Sequence, residues 1–248
     1  ISSEEMLKIV LQRIDCVNSS INFIATPTYS RAKKQLAQQS SASVFSGVPS
    51  FVKDMVDLGG VPRTNGSKLL ASNIPEQSVK WIDAFEQSGL TILGTTTVPE
   101  FASGFDSELF GQTHNPWDLD YSCVGSSSGS AAAVASGVVP LVHGTDGGGS
   151  NRFPSSACNT FGFKPSRARL LSGEKDGGHD LFKTNCAISR SVRDNLALFV
   201  ETQDRNNKTF KAVEFFDQPL KKRLKIAYAP MGVKNLPKTV SSVKEVLD

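Results

Sequence analysis

Histidine is scarce in this sequence. The three present, His114, His143 and His179, include no two at a metal-ligand spacing on one helix, so metal catalysis has no support. Four cysteines (Cys16, Cys123, Cys158, Cys186) stand far apart with no CxxC pair, which argues against a disulfide framework and against a zinc site. No uninterrupted apolar stretch is long enough to span a membrane, and no charged-then-apolar leader opens the chain. The cytosol is therefore the expected compartment, with no membrane partner. An excess of one charge is missing too: 27 basic and 24 acidic residues leave a net +3, which gives no electrostatic case for nucleic acid. The basic run Lys221, Lys222, Arg223 and Lys225 leads into an apolar segment and reads as a solvated edge. Internal repeats and low-complexity linkers are also absent.

What remains is an ordinary globular composition. The 248 residues are 39% hydrophobic and 21% charged, with 20 Gly and 12 Pro, enough for one large domain or two small ones. Both ends look cut. The first residue is Ile1, and the last segment spaces Val240, Val243, Val246 and Leu247 along one helical face before stopping without a Gly or Asn cap. The expectation is one domain, 1–248, truncated at both ends and lacking its C-terminal part.

Periodicity divides the chain into alternating helices and strands. Ser2 and Glu5 form a capping box for a first helix whose stripe is Leu7, Val10, Leu11 and Ile14. A polar helix is predicted over 31–39, with Arg31, Lys33 and Lys34 facing water. A buried strand over 48–54 carries Lys53 at its end. A helix follows from Pro75 to about Ser88, with Val79, Ile82 and Phe85 inward and Gly89 as terminator; a strand follows over 90–94. A small-residue helix over 130–136 closes at Gly137, and 138–142 returns as a strand. Ser191 caps a helix over 192–202, and 225–229 is the next strand. Strand–helix–strand repeats of this kind define an α/β protein with a parallel or mixed sheet.

Two glycine-serine segments stand apart from this background. Val124-Gly-Ser-Ser-Ser-Gly-Ser130 runs straight into the alanine-rich helix, and Gly144-Thr-Asp-Gly-Gly-Gly-Ser-Asn-Arg-Phe-Pro154 follows a buried strand. Only a helix and a strand separate them, so both reach the same end of the sheet, where open α/β sheets place their ligand crevice. Successive glycines can aim several N–H groups at one point, a nest for the oxyanion of a tetrahedral intermediate, with Ser150 as its source. A flexible or phosphate-binding loop is the alternative. Phosphate binding favours a glycine turn that opens a helix, and Asn151-Arg-Phe-Pro is not read as opening one. Gly125-Ser-Ser-Ser-Gly129 also matches G-x-S-x-G with Ser127 as nucleophile. That elbow requires a buried strand before it, whereas 115–122 reads as a turn-rich loop. Without a suitable histidine, lysine is the usual substitute base. Lys53 follows the apolar Phe51 and Val52, and burial would disfavour its ammonium, although a solvated edge charge is the other reading.

Five segments taken together decide between these readings. Gly47-Val-Pro-Ser-Phe-Val-Lys-Asp54, Gly66-Ser-Lys, Gly125-Ser-Ser-Ser-Gly-Ser-Ala-Ala-Ala-Val-Ala135, the Gly144–Pro154 segment and Gly162-Phe-Lys-Pro165 resemble the amidase signature family, in its order and over nearly the whole chain. The spacing of Ser126 and Ser150, 24 residues (150 − 126), matches the family's serine pair. The resemblance implies a mixed β-sheet core covered by helices on both sides and a Ser-Ser-Lys triad acting without a cofactor. Ser150 would attack the amide carbonyl and carry the acyl group. Ser126, held in a cis peptide, would relay the proton between Ser150 and neutral Lys53. The N–H groups of Gly147, Gly148, Gly149 and Ser150 map onto the oxyanion hole, Asp146 and Arg152 onto a supporting ion pair, and Lys164 onto a structural position. The implied partner is a small-molecule amide, linear or cyclic, and a homodimer is left open.

The sequence also departs from the family. Val124 stands where a glycine is common, Asn151 replaces a usual isoleucine, and Ser128 replaces a frequent glycine. Family members are also longer. The segments look more like stand-alone amidases, including the 6-aminohexanoate-cyclic-dimer hydrolase group, than like the A component of a glutamyl-tRNA amidotransferase. That component, and a truncated non-catalytic homologue acting as a binding module, are the alternatives. Gly173-Glu-Lys-Asp-Gly-Gly-His-Asp180 reads as a solvent-exposed connector.

Overall fold

Period-two burial organises the molecule. In a computed structural model, residues 1–38, 43–174, 180–216, 218, 223 and 225 are described. The elements in chain order are α1 (Ser3–Ile21), β1 (Ile24–Pro27), α2 (Tyr29–Gln38), β2 (Pro49–Lys53), α3 (Lys80–Gln87), β3 (Thr91–Thr96), β4 (His114–Asn115), β5 (Asp118–Ser122), α4 (Ser128–Ala135), β6 (Leu141–Asp146), α5 (Arg152–Ala157), β7 (Phe161–Gly162), β8 (Thr184–Ser189) and α6 (Val192–Thr202). The strand expected over 225–229, beyond Lys225 itself, and the helix expected over 240–248 lie outside the described residues. So does most of the 173–180 connector, at 175–179.

The strands form a sheet ordered β1-β3-β2, a sheet ordered β6-β8-β7, and the hairpin β4-β5. β2 pairs parallel to β3 across α3, as the strand–helix–strand pattern predicts, while β1 pairs antiparallel to β3. β6 and β8 run antiparallel in unbroken register from Leu141↔Ser189 to Asp146↔Thr184. Adjacent residues on one strand point to opposite faces. Phe51, Val142 and Ile188 accordingly join Leu7, Val10, Ile14, Phe23 and the alanines of α4 in one core cluster. Their neighbours Val52, Leu141 and Ala187 join Trp81, Ile82 and Phe85 of α3 and Leu198 of α6 in the other. Helices thus cover both sides of a mixed-strand core, which the described residues present as two three-stranded sheets.

β2 and β6 meet where the two sheets adjoin, and side chains bridge them. The Ser50 hydroxyl donates to Leu141 O (2.8 Å), and the Lys53 main-chain N–H donates to His143 Nδ1 (3.2 Å). From α4, the Ser130 hydroxyl donates to His143 O (2.8 Å) and lies 2.8 Å from Thr96 Oγ1, so one helix touches both sheets. Glycine makes that docking possible. A Cβ on Gly129 would lie 2.6 Å from Thr97 N and 2.7 Å from Phe23 O, closer than carbon can approach.

The local signals resolve in detail. The Ser2–Glu5 capping box forms with both of its hydrogen bonds, and Leu7, Val10 and Ile14 are buried along α1. Ser191 caps α6 through Asp194 N–H. Three expectations shift. α3 begins at Lys80 rather than just after Pro75, because 75–79 bonds instead to the 57–60 loop: Gly60 N–H to Pro75 O, Gly59 N–H to the Ser78 hydroxyl and Val79 N–H to Asp57 O. β6 begins at Leu141, since Val138 N–H still caps α4 through Ala133 O, so Gly144, Thr145 and Asp146 belong to the strand. Asn151-Arg-Phe-Pro does open a helix, α5. Pro154 is its third residue, and a first-turn proline lacks only an N–H that has no intrahelical partner anyway. Among the described residues no helix is long and apolar enough to cross a membrane.

Gly129→Ala is expected to destabilise the protein by about 1–3 kcal/mol, as overpacking of a close contact generally does. Equilibrium urea denaturation measures it, and an unchanged midpoint would show that α4 docks with room to spare.

Candidate active site

The parallel strand β2 ends by delivering Lys53 into an enclosed position. Its side chain is fully buried, with Nζ 2.7 Å from Ser126 Oγ and 2.9 Å from Thr145 Oγ1. Burial pushes the amine down from its ordinary value to about 7; nearby Lys183 adds to that effect, and Cys186 and Asp146 oppose it. The expectation of a buried lysine, and not a solvated edge charge, is met by this geometry. Next to it Asp54 is also buried. It accepts from Thr64 N–H (2.8 Å) and from the Thr64 hydroxyl, which anchors the loop carrying Gly66-Ser-Lys. Burial lifts the Asp54 carboxyl to about 6 in spite of those bonds.

Ser126 follows a cis Gly125–Ser126 peptide and is buried ahead of α4. Val124, just before, adopts φ 59, a left-handed conformation that costs a β-branched residue and suits glycine. The structure thereby explains why a glycine is common there. Ser127, the formal elbow serine, is fully buried and is occupied elsewhere: its N–H donates to Ser150 O (3.1 Å) and its hydroxyl to Asn151 Oδ1 (3.0 Å). The segment before it is the exposed hairpin β4-β5 rather than a featureless loop, and it supplies no buried strand.

The second segment wraps around Asp146. That carboxylate, wholly buried, receives the Arg152 Nε–H (2.8 Å) and Nη2–H (3.0 Å) in a two-pronged ion pair, plus the main-chain N–H groups of Gly149 (2.8 Å), Asn151 and Arg152 (3.3 Å each). Burial raises the carboxyl, and the Arg152 side chain with the three main-chain donors outweighs it, holding Asp146 below the ordinary carboxylate range. Gly149 therefore needs correction as an oxyanion donor, because its N–H is turned to Asp146. Its φ of 122 and the Phe153 ring packed against it require glycine for the loop's own shape. Gly147 and Gly148 are exposed and Ser150 is half-buried, so this part of the loop opens to solvent. Lys164 donates to Pro165 O.

Residues not singled out from sequence complete the site. Thr145 holds Lys53 Nζ, and His143 holds the Lys53 main chain. The period-two placement of both on β6 was the available signal, obscured because that strand was expected to end at 142. Asn151 and Cys186, joined by Asn151 Nδ2 at 2.6 Å from Sγ, lie behind the loop and had no signal beyond the absent isoleucine.

The buried lysine thus touches Ser126, and Ser127 next to it bonds Ser150 O and Asn151 of the glycine loop. Comparison with known proteins gives the family. The profile of the family described as Amidase matches residues 5–244, and the chain belongs to that family. A putative amidase, AmiC, from Mycobacterium leprae (strain TN) is 35% identical over 237 residues, covering 94% of this chain and 50% of the relative. The A component of a glutamyl-tRNA(Gln) amidotransferase from Acinetobacter baylyi is 39% identical over 177 residues, covering 68% of this chain and 36% of that one. The solved structure of 6-aminohexanoate cyclic dimer hydrolase complexed with substrate superposes with a TM-score of 0.76 at 28% identity, covering 88% of this chain and 47% of that one. The fold is thus that of the amidase signature enzymes. The chain spans about half the length of the curated relatives it matches.

The buried amine and the left-handed valine each lead to a stability measurement. The Lys53 amine ionises near 7 when folded and near its ordinary 10.5 when unfolded. Between those values the unfolded chain binds a proton the folded one does not, so stability rises with pH across that window. Lys53→Met should raise the melting temperature at pH 7, with the gain shrinking toward pH 10; a pH-independent difference would contradict the shifted amine. Val124→Gly should be stabilising by up to about 1 kcal/mol, relief of the left-handed strain being partly offset by glycine's greater unfolded-state freedom. Differential scanning calorimetry reads both.

Proposed function

We propose that this chain carries the catalytic machinery of an amide hydrolase that forms an acyl-enzyme on Ser150. The observation that carries the reading is the 2.7 Å approach of Lys53 Nζ to Ser126 Oγ inside a fully buried site. An amine with its proton affinity lowered to about 7 is neutral in a useful fraction of molecules at neutral pH. Thr145 Oγ1 accepts one Nζ–H, and in the proposed cycle the neutral amine turns its lone pair to the Ser126 hydroxyl.

In the proposed cycle Lys53 takes the Ser126 proton as Ser126 takes that of Ser150, and the Ser150 oxygen attacks the amide carbon. The carbonyl oxygen becomes the oxyanion, facing the N–H groups of Gly147, Gly148 and Ser150; one such donor is typically worth about 3 kcal/mol of barrier. Collapse of the tetrahedral intermediate breaks the C–N bond, and the proton returns from Lys53 through Ser126 to the departing amine. Water then repeats the route on the ester and frees Ser150. Asp146 and Arg152 support the reading by fixing the loop from beneath. Cleavage of small amides, linear or cyclic, is the proposed activity of the whole protein, in line with what the relatives are named for. A second reading, the A component of an amidotransferase, is favoured by the Acinetobacter baylyi match, and co-purification with a glutamyl-tRNA-binding partner protein would select it.

A fluorophosphonate probe should label the protein at Ser150, with a rate that rises through about pH 7 as Lys53 loses its proton. Ser150→Ala should abolish labelling, and Lys53→Ala should slow it by about 100-fold or more, the scale of general-base catalysis. Mass spectrometry of the adduct decides: labelling that persists in Ser150→Ala rejects the nucleophile, and an undiminished rate in Lys53→Ala rejects the base. Absence of labelling in the unaltered protein would favour the non-catalytic homologue.

A further inference from the structure

We infer that His143 is a positioning residue for Lys53, its bare Nδ1 accepting the Lys53 main-chain N–H and so fixing where β2 ends and where the amine points. The inference rests on the reading of Lys53 as the base. The imidazole is wholly buried, its ring 4.5 Å from that of Trp81 on α3. A main-chain N–H can only donate, so Nδ1, 3.2 Å away, carries no proton. In a neutral ring the proton then sits on Nε2, which is 3.2 Å from Asn185 Oδ1 on β8 and donates to it. The two bonds select one tautomer.

The groups facing the ring oppose a charged form. Lys53, when its amine holds a proton, adds positive charge from β2 and Lys183 adds it from the residues before β8, while Trp81 and Asn185 are neutral. Burial first, and these ammonium groups after it, push the imidazole down to about 3, so it stays an acceptor through the working range. Without that acceptor the Lys53 N–H would face β6 as a buried unpaired donor, since among the described residues β2 takes its ladder from β3. Two residues further along β6, Thr145 holds Nζ. One strand therefore grips Lys53 at both ends, main chain and amine.

The test uses His143→Leu, which keeps the bulk and removes the acceptor, and His143→Asn, whose Oδ1 falls close to the former Nδ1. Fluorophosphonate labelling is followed from pH 5 to 10. His143→Leu should label at least ten-fold more slowly, with its midpoint moved upward as the loosened amine gains water, and His143→Asn should recover to within about three-fold of the original rate. A wild-type rate and midpoint in His143→Leu, or equal impairment in both variants, overturns the inference, because the ring would then serve only as packing. An undiminished rate in Lys53→Ala is a different outcome and sinks the underlying reading instead. Should His143→Leu fail to fold, imidazole 15N–1H correlation on the unaltered protein decides. The expected ring is protonated at Nε2, bare at Nδ1 and unchanged from pH 5 to 9; protonation at Nδ1 or titration in that range overturns it.

Discussion

Burying an amine between two sheets is the constraint on which the other arrangements depend. Lysine is seldom fully enclosed, because taking an ammonium out of water costs several kcal/mol. The fold meets that cost by weakening the amine's hold on its proton and by giving it hydrogen-bond partners, the Ser126 and Thr145 hydroxyls. Those partners come from α4's approach and from β6, so the position of one side chain sets the relation between two sheets and a helix. The Ser130 hydroxyl, in contact with both Thr96 and His143 O, extends the same linkage to the helix that follows Ser126. The seam turns polar around Lys53; on either side of it Phe51, Val52, Leu141 and Val142 return to apolar packing.

A second organising group is Asp146, and it works by the opposite logic. Here a buried charge is retained, because five donors from Arg152, Gly149 and Asn151 surround it. A carboxylate bonded in this way stays ionised. Its effect is to curl the 147–152 loop into one shape, with Gly149 turned inward and Gly147 and Gly148 left on the open side. The loop's concavity is thus produced from within the protein. Glycine is needed at 149 for the fold of the loop, whereas a Cβ at 148 would meet open space and one at 147 only ordinary contacts.

Much of this could be read before the fold was known, for identifiable reasons. The capping box at Ser2, the parallel pairing across α3, and Lys53 at a strand end rest on local patterns of hydrogen bonding and burial, and these appear in the structure. The misplaced boundaries have separate causes. The 57–60 loop held 75–79 out of α3, the end of α4 kept Val138 out of β6, and Asn151-Arg-Phe-Pro opens α5 because Pro154 falls in its first turn. The roles of His143 and Thr145 were hidden because β6 was expected to end at 142, so both fell outside the strand whose alternation would have put them on one face. The bond from Gly149 to Asp146 had no sequence signal, since a run of glycines does not reveal which N–H turns inward.

The departure at Asn151 shows how such a site tolerates change. A carboxamide stands fully buried where an isoleucine is usual, and an unpaired one would cost several kcal/mol. Its oxygen accepts from Ser127 and its nitrogen lies against Cys186, so both ends are partnered. Ser127 in turn sits beside Ser126, and Asn151 beside Ser150, so the exchange places a hydrogen bond between the neighbours of the two serines where the isoleucine offers only contact. Room for it comes from Gly144, on which a Cβ would lie 2.1 Å from Asn151 Oδ1. The glycine, the serine and the asparagine are therefore one unit: Asn151 is acceptable because Gly144 and Ser127 are already there, and any larger residue at 144 would drive the carboxamide out and separate the segments that carry Ser126 and Ser150.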